Sequence, residues 1–296
     1  MATATAPAEA RTASQPLGAQ IGRSAAQASR SAFAALLYRD LAVLKKNLRE
    51  FIPRTIIQPF LLVFVFLYVF PKIGQGVGGG RTGGESAFAT ILVAGVVGLS
   101  ILFQGIQSVA LPMVQEFGYT KEIEDRVLAP LPVSLVAVGK VVAGAIQGLI
   151  AACVVFPIAA FVHAHGVVPH LTIHWLILLT MIPLACVTTA SLGLTFGTKF
   201  DPRQVPALFA LIILPITFLG GTYYAWTTLH AVQVGGFPWL QAVVTLNPLI
   251  YITEGFRAAL TTAPHMHLYV IYPVLAAFAA LFLRLGIVNF RRRVLS

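Results

Sequence analysis

Phe88-Ala89-Thr90-Ile91-Leu92-Val93-Ala94-Gly95-Val96-Val97-Gly98-Leu99-Ser100-Ile101-Leu102-Phe103-Gln104-Gly105-Ile106-Gln107-Ser108-Val109-Ala110-Leu111 contains no acid, lysine or arginine. A bilayer's hydrocarbon core, roughly 30 Å thick, is crossed by about 20 mainly apolar helical residues, because backbone groups find no water there and must bond within the helix. This stretch is long enough. Reading outward, residues 53–70 precede it and residues 133–161, 175–197, 206–224 and 268–290 follow it with the same character. The whole chain is 57% hydrophobic and 10% charged, with a mean hydropathy of +0.84, against roughly 25% charged residues in ordinary soluble domains. The sequence therefore predicts an all-α, polytopic membrane protein with six transmembrane helices.

Basic residues give the orientation. Arg11, Arg23, Arg30, Arg39, Lys45, Lys46, Arg49 and Arg54 lie before or at the start of the first stretch. With that end in the cytoplasm, Lys121, Arg126, Lys140, Lys199, Arg203, Arg284 and Arg291 to Arg293 are also inside, and only Lys72, Arg81 and Arg257 are outside. The positive-inside rule thus predicts that both termini are cytoplasmic. The same rule, with attraction to anionic headgroups, accounts for the net charge of +10 without a nucleic-acid partner.

Residues 1–30 are rich in Ala, Ser, Thr and Gln with scattered arginines, and are expected to form a disordered cytosolic tail. Over residues 31–52 the pattern changes. Phe33, Leu37, Leu41, Leu44, Leu48 and Phe51 recur at steps of three or four, with charged residues on other faces. This predicts an amphipathic helix lying in the membrane interface, or else packed on a cytosolic partner. Pro53 is expected to open the six-span region, 53–293.

Several chemistries are disfavoured. The glycine-rich run 74–84 has no preceding strand and lacks the Gly-Lys-Ser/Thr ending that would place a lysine on phosphates, so it reads as a linker. His163, His165, His170 and His174 have no nearby cysteine or carboxylate to complete a ligand set, and no metal site is expected. The spans lack central acids that would relay protons, and no nucleophile stands beside a histidine base. Cys153 and Cys186 both fall within spans and read as apolar fillers.

One charged insert interrupts the apolar pattern: Glu116-Phe117-Gly118-Tyr119-Thr120-Lys121-Glu122-Ile123-Glu124-Asp125-Arg126-Val127-Leu128-Ala129-Pro130. It predicts a short amphipathic helix with Ile123, Val127 and Leu128 on one side, ended by Pro130 and Pro132. Together with Ser134 and Gly139-Lys140, and with the later stretch Leu246-Asn247-Pro248-Leu249-Ile250-Tyr251-Ile252-Thr253-Glu254-Gly255-Phe256-Arg257, the insert resembles the type-2 exporter permeases of ATP-binding cassette transporters. These include drug-resistance and nodulation-factor export subunits. The resemblance covers residues 31–293.

The resemblance implies a permease subunit of the bacterial inner membrane that is not itself an enzyme. It would move a hydrophobic or amphipathic molecule (drug, antibiotic or lipid) outward, or alternatively a lipid-linked polysaccharide. No cofactor is expected on this chain; ATP and Mg would be held by a separate ATPase subunit, and a second permease copy would complete the pathway. Residues 116–129 would be the coupling helix, with Glu116, Glu122, Glu124, Asp125 and Arg126 touching the ATPase and Ile123 and Leu128 as buried anchors. Residues 227–267 would form a re-entrant external segment broken at Asn247 and Pro248 and held by Glu254 and Arg257, which can pair at i, i+3. Phe209, Phe218, Tyr223 and Tyr224 are candidates for lining the substrate pathway, or for anchoring span ends at the interface. From a different class, an ATP-independent channel or carrier fits the same spans.

Overall fold

The computed structural model describes residues 25–75, 84–118, 123, 131–164, 166–200 and 205–295. All the regular elements among them are helical, apart from an isolated bridge between Val234 and Phe237. The helices are α1 (Ala25–Lys46), α2 (Leu48–Lys72, with a π-helical stretch at Phe64–Val69), α3 (Gly84–Gly118), α4 (Val133–Phe161), α5 (Trp175–Lys199), α6 (Val205–Phe218), α7 (Trp239–Val244), α8 (Pro248–Leu260) and α9 (Leu268–Leu295). A 3-10 turn at Trp226–Ala231 joins α6 to α7.

Among the described residues, five helices are long and apolar enough to cross a membrane: α2, α3, α4, α5 and α9, with mean hydropathies of 1.8 to 2.3. The stretch expected to be a further span, 206–224, is instead the 14-residue α6, only about 21 Å long at 1.5 Å per residue. Its sequence stays apolar beyond Phe218, but the backbone turns at Gly220 and Gly221, and Gly221 takes φ +69°, which a side chain would resist. Arg257 holds the Gly221 carbonyl at 2.9 Å, so the break is built into the tertiary structure.

The first helical boundary also lies elsewhere than expected. The chain breaks at Asn47, and Pro53 falls inside α2. Ala25–Arg30, placed in the expected tail, form the start of α1.

α3 is the central element, packed against α2, α4, α5 and α8. Small residues permit that density. A methyl group at Gly193 of α5 would lie 2.8 Å from the Ile106 carbonyl of α3 and 2.9 Å from its Cα; one at Gly197 would lie 2.7 Å from Met113 Cβ. With lipid outside, such close helix crossings gain dispersion contacts rather than hydrophobic transfer energy. Thr195 spans the other side of α5, donating to the Phe282 carbonyl of α9 at 2.8 Å.

The bundle has two distinct ends. At one, α1 lies across α4 with Phe33 over Gly139, and Phe117, Ile123 and Phe290 join the same apolar cluster. Arg293 caps it, its guanidinium 4.7 Å from the Phe117 ring centre and bonded to the Phe200 carbonyl at 3.0 Å. At the other end, the approach to α5 runs beside α8, with the Thr172 and His174 amides donating to the carbonyls of Leu260 and Ala259.

Candidate functional site

α8 is the most buried element of the structure: every residue from Pro248 to Leu260 is buried. Its start is written locally. Pro248 occupies the first turn, where its missing N–H costs nothing, and Asn247 caps it, accepting from the Leu249 amide at 2.9 Å. The other half of the Asn247 carboxamide donates to the Ile216 carbonyl of α6 at 2.7 Å, so one side chain starts α8 and ties it to α6.

About two helical turns further, Glu254 and Arg257 form a fully buried ion pair. Each also reaches the connecting backbone. The Glu254 carboxylate accepts from the amides of Trp226 and Met266, both at 2.7 Å, while Arg257 donates to the carbonyls of Gly221 and Tyr224 at 2.9 and 3.2 Å. An isolated charge here would cost several kcal/mol. Paired and hydrogen-bonded, the two side chains clasp α8 to segments on both sides of it in sequence. The i, i+3 spacing foretold the pair; the four backbone partners had no sequence signal.

At the α1 end, Glu116 lies in the last turn of α3, next to the charged insert. It is buried, with the Lys140 ammonium 2.5 Å from its carboxylate, and Asp40 of α1 lies 3.8 Å from the same ammonium. Glu116 was expected on the ATPase-facing surface; instead it meets Lys140 inside, joining α1, α3 and α4. Ile123 is 5% exposed and packs in the cluster with Phe117 and Val136. The other predicted coupling residues, Glu122, Glu124, Asp125, Arg126 and Leu128, lie outside the described residues.

Of the aromatic candidates, Phe218 is largely exposed at the end of α6, whereas Tyr223 and Tyr224 are half-buried. Tyr223 lies between Phe66 and Phe218 at centroid distances of 5.6 and 6.3 Å, and Tyr224 donates to the Phe218 carbonyl at 2.9 Å. Phe209 is in α6, apart from that group in sequence.

A further site was not anticipated. Between α1, α2, α3 and α4 opens a cavity of about 350 Å³ with a mixed wall: Asn47, Arg54, Gln104, Gln107, Gln115 and Gln147 line it together with the acids Asp40 and Glu50 and the apolar Val43, Leu44, Phe51 and Leu111. A smaller cavity shares Arg54, Gln104 and Gln107 and runs on between α2 and α3 toward Leu62, Leu99 and Phe103. Arg54 donates to Gln107 at 3.3 Å and Thr55 donates to Gln104 at 3.2 Å, so carboxamides, hydroxyls and one guanidinium make a continuous strip. Ser100, Gln104, Gln107 and Gln115 were the available signal: their spacing puts them on one face of a helix. Their apolar neighbours outweigh them in an averaged hydropathy.

This architecture, a bundle of apolar helices long enough to span a bilayer with buried polar clasps between them, is that of a polytopic membrane protein. The residues 31–261 match the model of the ABC-2 type transporter family, and the chain belongs to that family. It is similar to the inner membrane transport permease YadH of Escherichia coli K12, with 26% identity over 201 residues, covering 66% of this chain and 72% of that one. The permeases of the same name from Escherichia coli O157:H7 and Shigella flexneri match to the same extent. Family membership implies a partner ATPase of the ATP-binding cassette type, and a permease subunit without catalysis of its own.

Proposed function

We propose that this chain is an inner-membrane permease with both termini in the cytoplasm, and that a separate ATPase subunit drives it to export a hydrophobic or amphipathic molecule such as a drug, antibiotic or lipid. The carrying observation is the Glu116–Lys140–Asp40 node with Ile123 beside it. It ties the interfacial helix α1 to both spans that flank residues 116–129. A push on that segment reaches α3 and α4 directly, because buried charges resist separation. Residues 116–129 act as the coupling helix, in which Glu122, Glu124, Asp125 and Arg126 form the polar contact with the ATPase and Ile123 and Leu128 anchor it.

Lys45, Lys46, Arg49, Lys140, Lys199 and Arg291 to Arg293 gather on the elements of the α1 end, which supports placing that end in the cytoplasm. α6 with its glycine break completes a sixth crossing, and residues 227–267 form a re-entrant cap over the exit, held by Asn247, Pro248, Glu254 and Arg257. A backbone of that kind is tolerated at membrane depth where it packs on protein, and α8 is wholly buried. Two copies of the chain frame the pathway, with Phe218, Tyr223 and Tyr224 near its outer part and Phe209 nearer the cytoplasmic start of α6. ATP binding by the partner favours one arrangement of the paired permeases over the other, and hydrolysis resets it.

The test is purification of the complex from native membranes. An ATP-binding cassette ATPase co-purifies with the wild-type chain and is lost from Ile123→Asp, while the variant still inserts and runs as a folded protein. An ATPase retained by Ile123→Asp, or absent from the wild type, refutes the coupling role.

A further inference from the structure

Arg293 stands apart from the other cations at the α1 end. Arg291 and Arg292, its neighbours in α9, are exposed, as charges that only mark one side of a membrane would be. Arg293 is half-buried and turns inward. One of its terminal nitrogens faces the carbonyls of Gly197, Thr198 and Phe200, at the end of α5, at 3.5, 3.4 and 3.0 Å. A helix C-terminus leaves such carbonyls without intrahelical partners and carries a partial negative charge, so a cation suits it. The same guanidinium is 4.7 Å from the centre of the Phe117 ring, within cation–π range. A lysine ammonium has no flat face to lay on a ring while its hydrogens hold carbonyls, so arginine is the residue type that fits this double contact.

Phe117 lies in the last turn of α3, beside Glu116 and at the head of the charged insert. Pro112 precedes that turn and has no N–H, so α3 lacks one of the bonds that would carry its end rigidly with the rest of the helix. Glu116 fastens the turn to α4 and α1 through Lys140 and Asp40. Phe117 fastens it to the other spans, its ring 5.7 Å from that of Phe290 and in contact with Arg293. Further along, α5 and α9 are already joined to each other. Thr195 donates to the Phe282 carbonyl at 2.8 Å, and a methyl group at Gly286 of α9 would lie 2.8 Å from the Leu194 side chain. Two adjacent residues thus divide the bundle, Glu116 holding α1 and α4 and Phe117 holding α5 and α9.

We propose that Arg293 is a positioning residue for energy coupling, which makes α5 and α9 follow the last turn of α3 when the ATPase displaces residues 116–129. This rests on the coupling role given to those residues and adds the route by which the second pair of spans is moved. With Arg293 removed, the end of α3 still pulls α1 and α4 through Glu116, and α5 and α9 lag behind.

The test uses the complex purified with its ATPase in lipid nanodiscs, from a chain carrying Cys153→Ala and Cys186→Ala. An environment-sensitive maleimide fluorophore is attached at Leu285→Cys on α9 or, in a separate sample, at Leu149→Cys on α4; both leucines are exposed. Fluorescence is read before and after trapping with ATP and vanadate. With Arg293 present, both positions are expected to respond. In Arg293→Gln the response at Leu285→Cys is expected to fall at least about fivefold, the low end of ordinary coupling between sites, while that at Leu149→Cys is kept. Phe117→Leu removes the ring, is expected to give the same selective loss, and serves if Arg293→Gln does not fold. A merely structural role would lower both responses together. Equal loss at both positions, an unchanged response at Leu285→Cys in folded variants, or a response at one position only with Arg293 present overturns the proposal. A complex that hydrolyses ATP while neither position responds refutes the coupling role of residues 116–129 itself, and a missing ATPase refutes the exporter reading.

Discussion

Replacing Arg257 with Met removes the guanidinium but keeps most of the stem, and the structure sets the size of the consequence. Glu254 would remain buried with no cation, and the carbonyls of Gly221 and Tyr224 would each lose a donor. Breaking a buried pair from one side costs about 3–5 kcal/mol. At about 2–4 °C per kcal/mol for a chain in this size range, the midpoint of thermal unfolding in detergent should fall by roughly 6 °C or more. Glu254→Gln/Arg257→Met removes both charges while the introduced carboxamide oxygen still accepts an amide, so the double variant should be more stable than Arg257→Met alone. That ordering is the decisive feature. If Arg257→Met melts within about 1 °C of wild type, or if the double variant is the less stable of the two, the pair is not the clasp described here.

Lys140→Met removes the ammonium from the buried Glu116 carboxylate and should cost about 3–5 kcal/mol, with Glu116→Gln/Lys140→Met recovering part of the loss in the same melting assay. Asn247→Ala removes the α8 cap and the bond to the Ile216 carbonyl, lowering stability by about 1–2 kcal/mol and increasing proteolysis between α6 and α8. Gly193→Ala places a methyl 2.8 Å from a backbone carbonyl that cannot rotate away and should destabilise by about 1–3 kcal/mol. Gly148→Ala meets Cys186 first, its nearest atom Sγ at 3.2 Å, and its gain in helix propensity of about 1 kcal/mol should leave it near wild type.

Long, uncharged apolar runs were legible because their cause is local: a helix in hydrocarbon must satisfy its own backbone, and 133–161 therefore reads the same in sequence as in α4. The end of α6 fell short of the expected 224 because hydropathy continues through Gly220 and Gly221, while the turn depends on Arg257, 36 residues away from Gly221. Glu254 and Arg257 were readable as a pair because one helix carries both. Glu116 was read as a surface charge because its partner, Lys140, lies 24 residues on and across the charged insert. The polar cleft escaped for another reason: a few glutamines at helical spacing are outweighed by the apolar residues around them and carry no charge to mark them, and their convergence with Asn47 and Gln147 needs four helices to be placed.

The account depends on residues 116–129 facing the cytoplasm, where an ATPase can grip them. Its most direct test places a single cysteine at Glu124→Cys in a chain carrying Cys153→Ala and Cys186→Ala, then applies a membrane-impermeant maleimide to intact cells and to inverted inner-membrane vesicles. Labelling only in inverted vesicles, and slower when the ATPase subunit is bound, is the predicted result. Labelling from outside intact cells, or labelling in vesicles that is indifferent to the ATPase, would contradict it.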